Sequence, residues 1–204
     1  MGSPNLGAIE EFERVNERYT FLTDQRDDIE KARDELLEII AKLTREMESI
    51  FRTEFEAVAR SFAETFTELF GGGRGELVLE DPNDILNCGI DIRVQPPGKS
   101  LRTLTLLSGG ERAFVAIALY FAMLKVRPAP FCVLDEIESA LDENNVIRFA
   151  QYTRSMSERT QFLIITHRRG TMENADELYG VTMQKGISRV LSVELDDALK
   201  TGTV

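Results

Sequence analysis

Three short stretches of this sequence hold residues whose types and spacing could act on a phosphate. The first is Leu107-Ser108-Gly109-Gly110-Glu111-Arg112-Ala113, which opens a predicted helix that is apolar nearly all round as far as Leu124. Ser108 and Glu111 have the spacing of a capping box, in which a hydroxyl and a carboxylate reciprocally satisfy end amides. Two glycines in a first helical turn each cost up to ~1 kcal/mol relative to alanine. They make sense where something must approach the backbone closely, and a helix N-terminus with exposed amides beside a hydroxyl is a ready site for a phosphate. A plain cap and a phosphate site both remain open at this point.

The second stretch is Phe131-Cys132-Val133-Leu134-Asp135-Glu136, an apolar strand that ends in two carboxylates. That pattern predicts a central parallel strand whose C-terminal end presents charge into a ligand crevice. One carboxylate there suits a magnesium ion or its bound water, because magnesium takes few protein ligands. The next suits a general base for an attacking water. An exposed acidic turn is the alternative. Asp142 follows at the start of the next predicted helix, where an N-cap carboxylate is the ordinary expectation.

The third is His167, the only histidine in the sequence, directly after the apolar strand Phe162 to Ile165 and Thr166. It falls at another strand's C-terminal end, on the same side as Asp135 and Glu136. It is therefore a candidate partner for a phosphate or a catalytic water, against the alternative of a structural or surface histidine. Gly98-Lys99-Ser100 imitates the end of a phosphate-binding loop, but Arg93 stands where the leading glycine belongs, Pro96 and Pro97 occupy the loop, and no helix follows. It is read as a solvated turn, which leaves the chain without a loop to hold a nucleotide.

These groups need elements to position them. From Phe12 to Ile50 the residues Val15, Leu22, Ile29, Leu36, Leu43 and Ile50 keep one heptad register, and Phe12, Tyr19, Ile40 and Met47 share a second that Arg26 and Arg33 interrupt. This describes a coiled-coil seam that needs a partner helix, and nothing else in the sequence repeats it. A homodimeric coiled coil is one alternative. Helical spacing continues through Phe51, Phe55, Val58, Phe62, Phe66 and Leu69 until Gly71 to Gly73 end it. Alternation over Glu76 to Glu80 and Gly89 to Val94 predicts an antiparallel pair. Then come a helix from about Gly110 to Lys125, a strand over Phe131 to Leu134, a helix from about Glu143 to Ser157 and a strand over Phe162 to Thr166. Such alternation implies an α/β fold with a parallel sheet. Two strand-like stretches, Leu178 to Met183 and Ser188 to Val193, come last. Residues 1–3 are read as a cloning scar, 4–55 as a coiled-coil or neck helix and 56–204 as a globular lobe.

Composition narrows the function classes. A formal charge of -11 disfavours duplex binding by this stretch alone, since that affinity comes mainly from cationic side chains. Cys88 and Cys132 form no paired metal spacing or disulfide framework, which points to a reducing cytosol. No apolar run approaches the ~20 residues a membrane span needs, and no signal segment opens the sequence, so a soluble, unexported protein is expected.

In this order the three signals resemble the signature motif, Walker B strand, D-loop and switch histidine of ATP-binding-cassette ATPases. Behind a long heptad helix they look like the C-terminal lobe of the coiled-coil branch, the structural-maintenance-of-chromosomes family of bacteria. Asn5-Leu6-Gly7-Ala8-Ile9, Phe70-Gly71-Gly72-Gly73, Gln95-Pro96-Pro97-Gly98-Lys99, Lys125-Val126-Arg127-Pro128 and Tyr179-Gly180-Val181-Thr182-Met183 carry the resemblance further. Glu111, where transporters usually carry glutamine, favours this branch.

The resemblance implies an ATPase using ATP and Mg2+. Asp135 would complete the magnesium site, directly or through water, Glu136 would polarise the water and His167 would contact the γ-phosphate. Asp142 would lie in the loop that communicates across a dimer. Ser108, Gly109, Gly110 and Glu111 would face the nucleotide bound to the opposite head, with Ser108 and Gly110 on its γ-phosphate. It further implies that the N-terminal half of the same head supplies the seam partner and the missing nucleotide loop, that a second head makes a homodimer, and that a kleisin docks its C-terminal winged-helix domain. DNA would be engaged by the complete complex, in the cytoplasm at the nucleoid, in chromosome condensation and segregation. A related coiled-coil ATPase of recombination or repair, and an inactive half-domain acting as a kleisin-binding module, are the rival readings.

Overall fold

The computed structural model describes residues 7–194. Its elements are α1 (Gly7–Phe70), β1 (Arg74–Leu79), β2 (Ile90–Gln95), β3 (Arg102–Thr103), a 3₁₀ turn (Leu104–Leu106), α2 (Gly109–Val126), β4 (Phe131–Asp135), α3 (Glu143–Met156), β5 (Gln161–Ile165), α4 (Arg169–Met172), β6 (Glu177–Gln184) and β7 (Ile187–Glu194). The scar assigned to residues 1–3, and the first two residues of the Asn5 to Ile9 motif, lie outside the described residues. Among those residues no helix is long and apolar enough to cross a membrane.

The chain divides into two compact units at Arg52/Thr53. In the first unit every residue of the principal heptad register, Val15, Leu22, Ile29, Leu36, Leu43 and Ile50, is more than half exposed. Arg26 and Arg33, which break the second register, pair with the adjacent Asp27 and Asp34 in the open. Exposed pairs of this kind are worth ~0–1 kcal/mol.

The second unit holds the core. The last turns of α1 bury Phe62, Phe66 and Leu69 with Phe114, Val115, Ala118 and Phe121 of α2 and Val146 and Phe149 of α3. The Phe66 and Phe70 rings stack at 4.1 Å, and Phe70 reaches Phe114 at 4.7 Å. A fully buried side chain of this size stabilises by ~1.5–3 kcal/mol. Gly71, Gly72 and Gly73 all have positive φ (68°, 131° and 84°), a conformation that excludes most L residues and stops α1. The Gly72 amide closes the helix end by donating to the Thr67 carbonyl at 2.9 Å.

β1, β2 and β3 form an antiparallel sheet, so the expected strand pair is present and gains a third, two-residue strand. β6 and β7 form a hairpin around Lys185 and Gly186, whose positive φ values (53° and 78°) match the tight turn that follows strand twist. β4 and β5 pair in parallel with Asp135 opposite Ile165.

One expectation needs correction. The sequence predicts a central parallel strand at β4; it is parallel to β5, but among the described residues its sheet has only these two strands and burial alternates along them. Cys132 and Leu134 are buried against the helices, with Phe162 and Ile164 packed on the same core. The other face carries Phe131 (59% exposed), Val133 (58%), Leu163 (48%) and Ile165 (55%). An all-apolar run reports that both faces avoid water, and does not report whether the cover lies in the same stretch of chain.

Candidate functional site

The N-terminus of α2 is built as a capping box. Ser108 Oγ accepts from the Glu111 amide at 3.4 Å, while Glu111 Oε2 accepts from the Ser108 amide at 3.1 Å and from its hydroxyl at 2.8 Å. Lys99 adds a contact the sequence did not signal, its Nζ donating to Glu111 Oε1 at 2.8 Å. The Lys99 ammonium first, then the Ser108 hydroxyl and amide, hold the Glu111 carboxyl down at about 2. Gly98-Lys99-Ser100 is the exposed turn expected of it, yet its lysine braces the helix start.

The two glycines separate in their reasons. A β-carbon on Gly110 would stand 2.9 Å from the Ala140 carbonyl oxygen, so this glycine is required by the chain's own packing. A β-carbon on Gly109 would meet nothing among the described residues within 4 Å. Close approach by a ligand is one of the two readings the sequence leaves open for these glycines, and at Gly110 packing within the chain already requires the glycine.

Gly110 thereby sets the start of α2 against the turn from β4 to α3. In that turn Asp135 ends β4 exposed, and Glu136 adopts φ 47° while its amide donates to the Ile165 carbonyl at 3.0 Å. A left-handed non-glycine residue costs ~1–3 kcal/mol and persists only where the surroundings enforce it. Ser139 donates to the Glu136 carbonyl and Leu141 to that of Glu138, both at 3.0 Å, winding the chain toward α3. Asp142 caps α3, accepting from the Asn145 amide at 2.9 Å and its Nδ2 at 3.0 Å.

His167 follows β5, and its Nδ1 lies 3.4 Å from Glu136 Oε1 with both side chains more than half exposed. That separation is longer than a tight hydrogen bond and leaves both groups able to reach a third atom. Glu136 and His167, 31 positions apart in the sequence, are therefore brought together by the parallel register of β4 and β5. Asp135 sits beside them at the same strand ends.

Among the described residues no group of three or more carboxylate, imidazole or thiol side chains is arranged to hold a metal ion. Asp135 fits magnesium as a single carboxylate, the mode by which that ion binds with phosphates and water as its other ligands. Sequence reasoning passed over Glu138, which is fully buried behind this site and accepts hydrogen bonds from Thr166 Oγ1 and, at 3.2 Å, from Thr171 Oγ1. A lone acid in a turn carries no periodic or motif signal by which its burial could be foreseen.

Residues 12–189 match the family described as RecF/RecN/SMC N terminal domain, and the chain belongs to that family. Over 97% of its length it is 58% identical to the chromosome partition protein Smc of Bacillus subtilis (strain 168), and it spans 17% of that relative's length. It is also similar to the Smc head domain with an extended coiled coil bound to the C-terminal domain of ScpA, derived from Pyrococcus furiosus. That likeness has a TM-score of 0.72 at 38% identity and covers 96% of this chain and 49% of the other. A structure from work on ATP-driven dimerization and DNA-stimulated activation of SMC ATPases matches with a TM-score of 0.69 at 40% identity, covering 76% of this chain and 94% of that one. The fold is thus the mixed α/β fold of an SMC head, with a long N-terminal helix.

Proposed function

We propose that this chain is the C-terminal half of the ATPase head of a bacterial chromosome-partition protein, and that it carries half of a composite ATP site. The observation that carries the reading is the Glu136–His167 pair, 3.4 Å apart at the ends of adjacent parallel strands and next to Asp135. Glu136 accepts the proton of the attacking water, and His167 lies against the γ-phosphate. Asp135 holds magnesium, which when bound neutralises charge on the phosphates. Ser108, Gly109, Gly110 and Glu111 present a braced helix N-terminus to the nucleotide of a second, identical head, and Asp142 lies in the loop between the two sites. Gly109 supports this, since nothing among the described residues occupies the space a side chain there would take.

The uncovered apolar face of β4 and β5 supports a missing cover, and the N-terminal half of the same head is its occupant in this reading. The same half supplies the helix that pairs with the exposed heptads of α1. A kleisin C-terminal winged-helix domain docks on the final hairpin, where Tyr179, Val181 and Met183 share one face with Val190 and all are exposed. Such a domain should bind this chain without ATP; a pull-down that succeeds only after the N-terminal half is added would remove that part of the reading. DNA is engaged by the complete assembly at the nucleoid in the cytoplasm, with little grip from this acidic stretch.

Mixing the chain with its N-terminal half and measuring phosphate release tests the proposal. Turnover should appear only in the mixture. Submicromolar ATP affinity of this chain alone, measured by calorimetry, would show that the site is not divided as proposed.

A further inference from the structure

We infer that Glu138 is a positioning residue that clamps the turn carrying His167 against the turn carrying Glu136 and Asp142. Its carboxylate is fully buried, two residues beyond Glu136, and a single oxygen, Oε1, accepts from the hydroxyls of Thr166 and Thr171. The Thr166 hydroxyl oxygen in turn accepts from the Arg168 amide at 2.9 Å. Both residues flanking His167 are therefore fixed through one carboxylate oxygen. Arg168 returns the connection, its guanidinium donating at 2.8 Å to the Leu141 carbonyl, directly before Asp142, and lying 3.5 Å from Glu143 Oε2. The two turns are tied at two points, through the residues before and after His167 on one turn and through Glu138 and Leu141, both beyond Glu136, on the other.

The clamp is an expensive arrangement for the fold alone. Glu138 Oε2 and Arg168 Nε are buried and have no hydrogen-bond partner among the described residues. Buried polar atoms are rarely left so, and an apolar side chain of similar volume would fill the space without an orphaned oxygen. What the carboxylate provides and an apolar group cannot is a directional hold on Thr166, hence on the backbone from which His167 projects toward Glu136. A small displacement of a reacting group at such a site costs far more in rate than in binding.

The inference rests on the ATPase reading above, and its test uses the complete protein, with kcat and ATP affinity measured separately. Thr166→Val, nearly the same shape without the hydroxyl, should lower kcat ~10- to 100-fold while ATP affinity stays within about twofold. Glu138→Ala should do the same, Glu138→Gln should recover most of kcat because its amide oxygen still accepts from both threonines, and the double variant Thr166→Val/Glu138→Ala should be no worse than the poorer single one. Wild-type kcat in Thr166→Val, or a parallel fall of kcat and ATP affinity in it, overturns the inference even if Glu138→Ala fails to fold. So does a Glu138→Gln protein as slow as Glu138→Ala. Glu136→Gln is measured alongside: if it turns over normally, the ATPase reading itself has failed, a result distinct from any outcome at Glu138.

Discussion

Residues 12–50 and residues 51–70 belong to one helix with a similar supply of large apolar side chains, yet their burial is opposite. Phe62, Phe66 and Leu69 are shut away from water, while Val15, Leu22, Ile29, Leu36, Leu43 and Ile50 are more than half exposed. The same contrast recurs across β4 and β5, where one face builds the core and the other, with Phe131, Val133, Leu163 and Ile165, is uncovered. Exposed apolar surface of this extent, arranged along one heptad register and on one strand face, has the form of an interface. The buried set is what this stretch of chain needs in order to fold, and the exposed set is surface available to a partner.

Removing a ring from the buried set should cost the most. Phe66→Ala or Phe121→Ala should destabilise the second unit by ~3–5 kcal/mol, as large-to-small core changes do. Ile29→Ala or Leu36→Ala, by contrast, should leave the unfolding free energy of the chain on its own within ~0.5 kcal/mol, as surface changes do. Denaturant titrations check both, and a seam substitution as costly as a core one would mean that the seam is already satisfied within the chain.

The two glycines at the start of α2 differ in the same way at smaller scale. Gly110→Ala should destabilise, because its new methyl group meets the Ala140 carbonyl, whereas Gly109→Ala should stabilise the isolated chain by up to ~1 kcal/mol through helix propensity. Thermal melts read the sign directly. A destabilising Gly109→Ala would show that the space beside it is filled within the chain, and would remove the support it gives to a ligand from outside.

The smallest effect is electrostatic. Glu111 titrates near 2 instead of its ordinary 4.5, so its contribution is present in full above pH 4.5 and is lost as pH falls toward 2. The stability difference between the wild-type chain and Glu111→Gln should therefore shrink over that window, with a similar loss in Lys99→Ala. A difference that stays constant from pH 6 down to about 2 would contradict the bracing by Lys99 and Ser108.

Much of this was legible beforehand. The capping box, the glycine stop after α1, the carboxylates ending β4 and the helix cap at Asp142 follow from local spacing, and local spacing is what sequence reports best. What escaped has physical reasons. Arg102–Thr103 and Arg169–Met172 are too short to show a period. Lys99 reaches Glu111 across 12 residues, and Glu138 meets Thr166 across 28, contacts that depend on how turns close in space. The bare face of β4 escaped because hydrophobicity describes a demand for cover and carries no information about its source.

In the proposed reaction Glu136 serves as base and Ser108 meets a nucleotide held by a second head. Size-exclusion chromatography with ATP tests it directly on heads reconstituted with the N-terminal half. Glu136→Gln keeps the shape while removing the basic oxygen, so hydrolysis should slow by at least ~100-fold and engaged dimers should accumulate. Ser108→Arg places a bulky cation where the opposite γ-phosphate must approach, so its heads should load ATP and remain monomeric. Monomeric Glu136→Gln heads, or Ser108→Arg heads that dimerise as well as wild type, would rule out these roles.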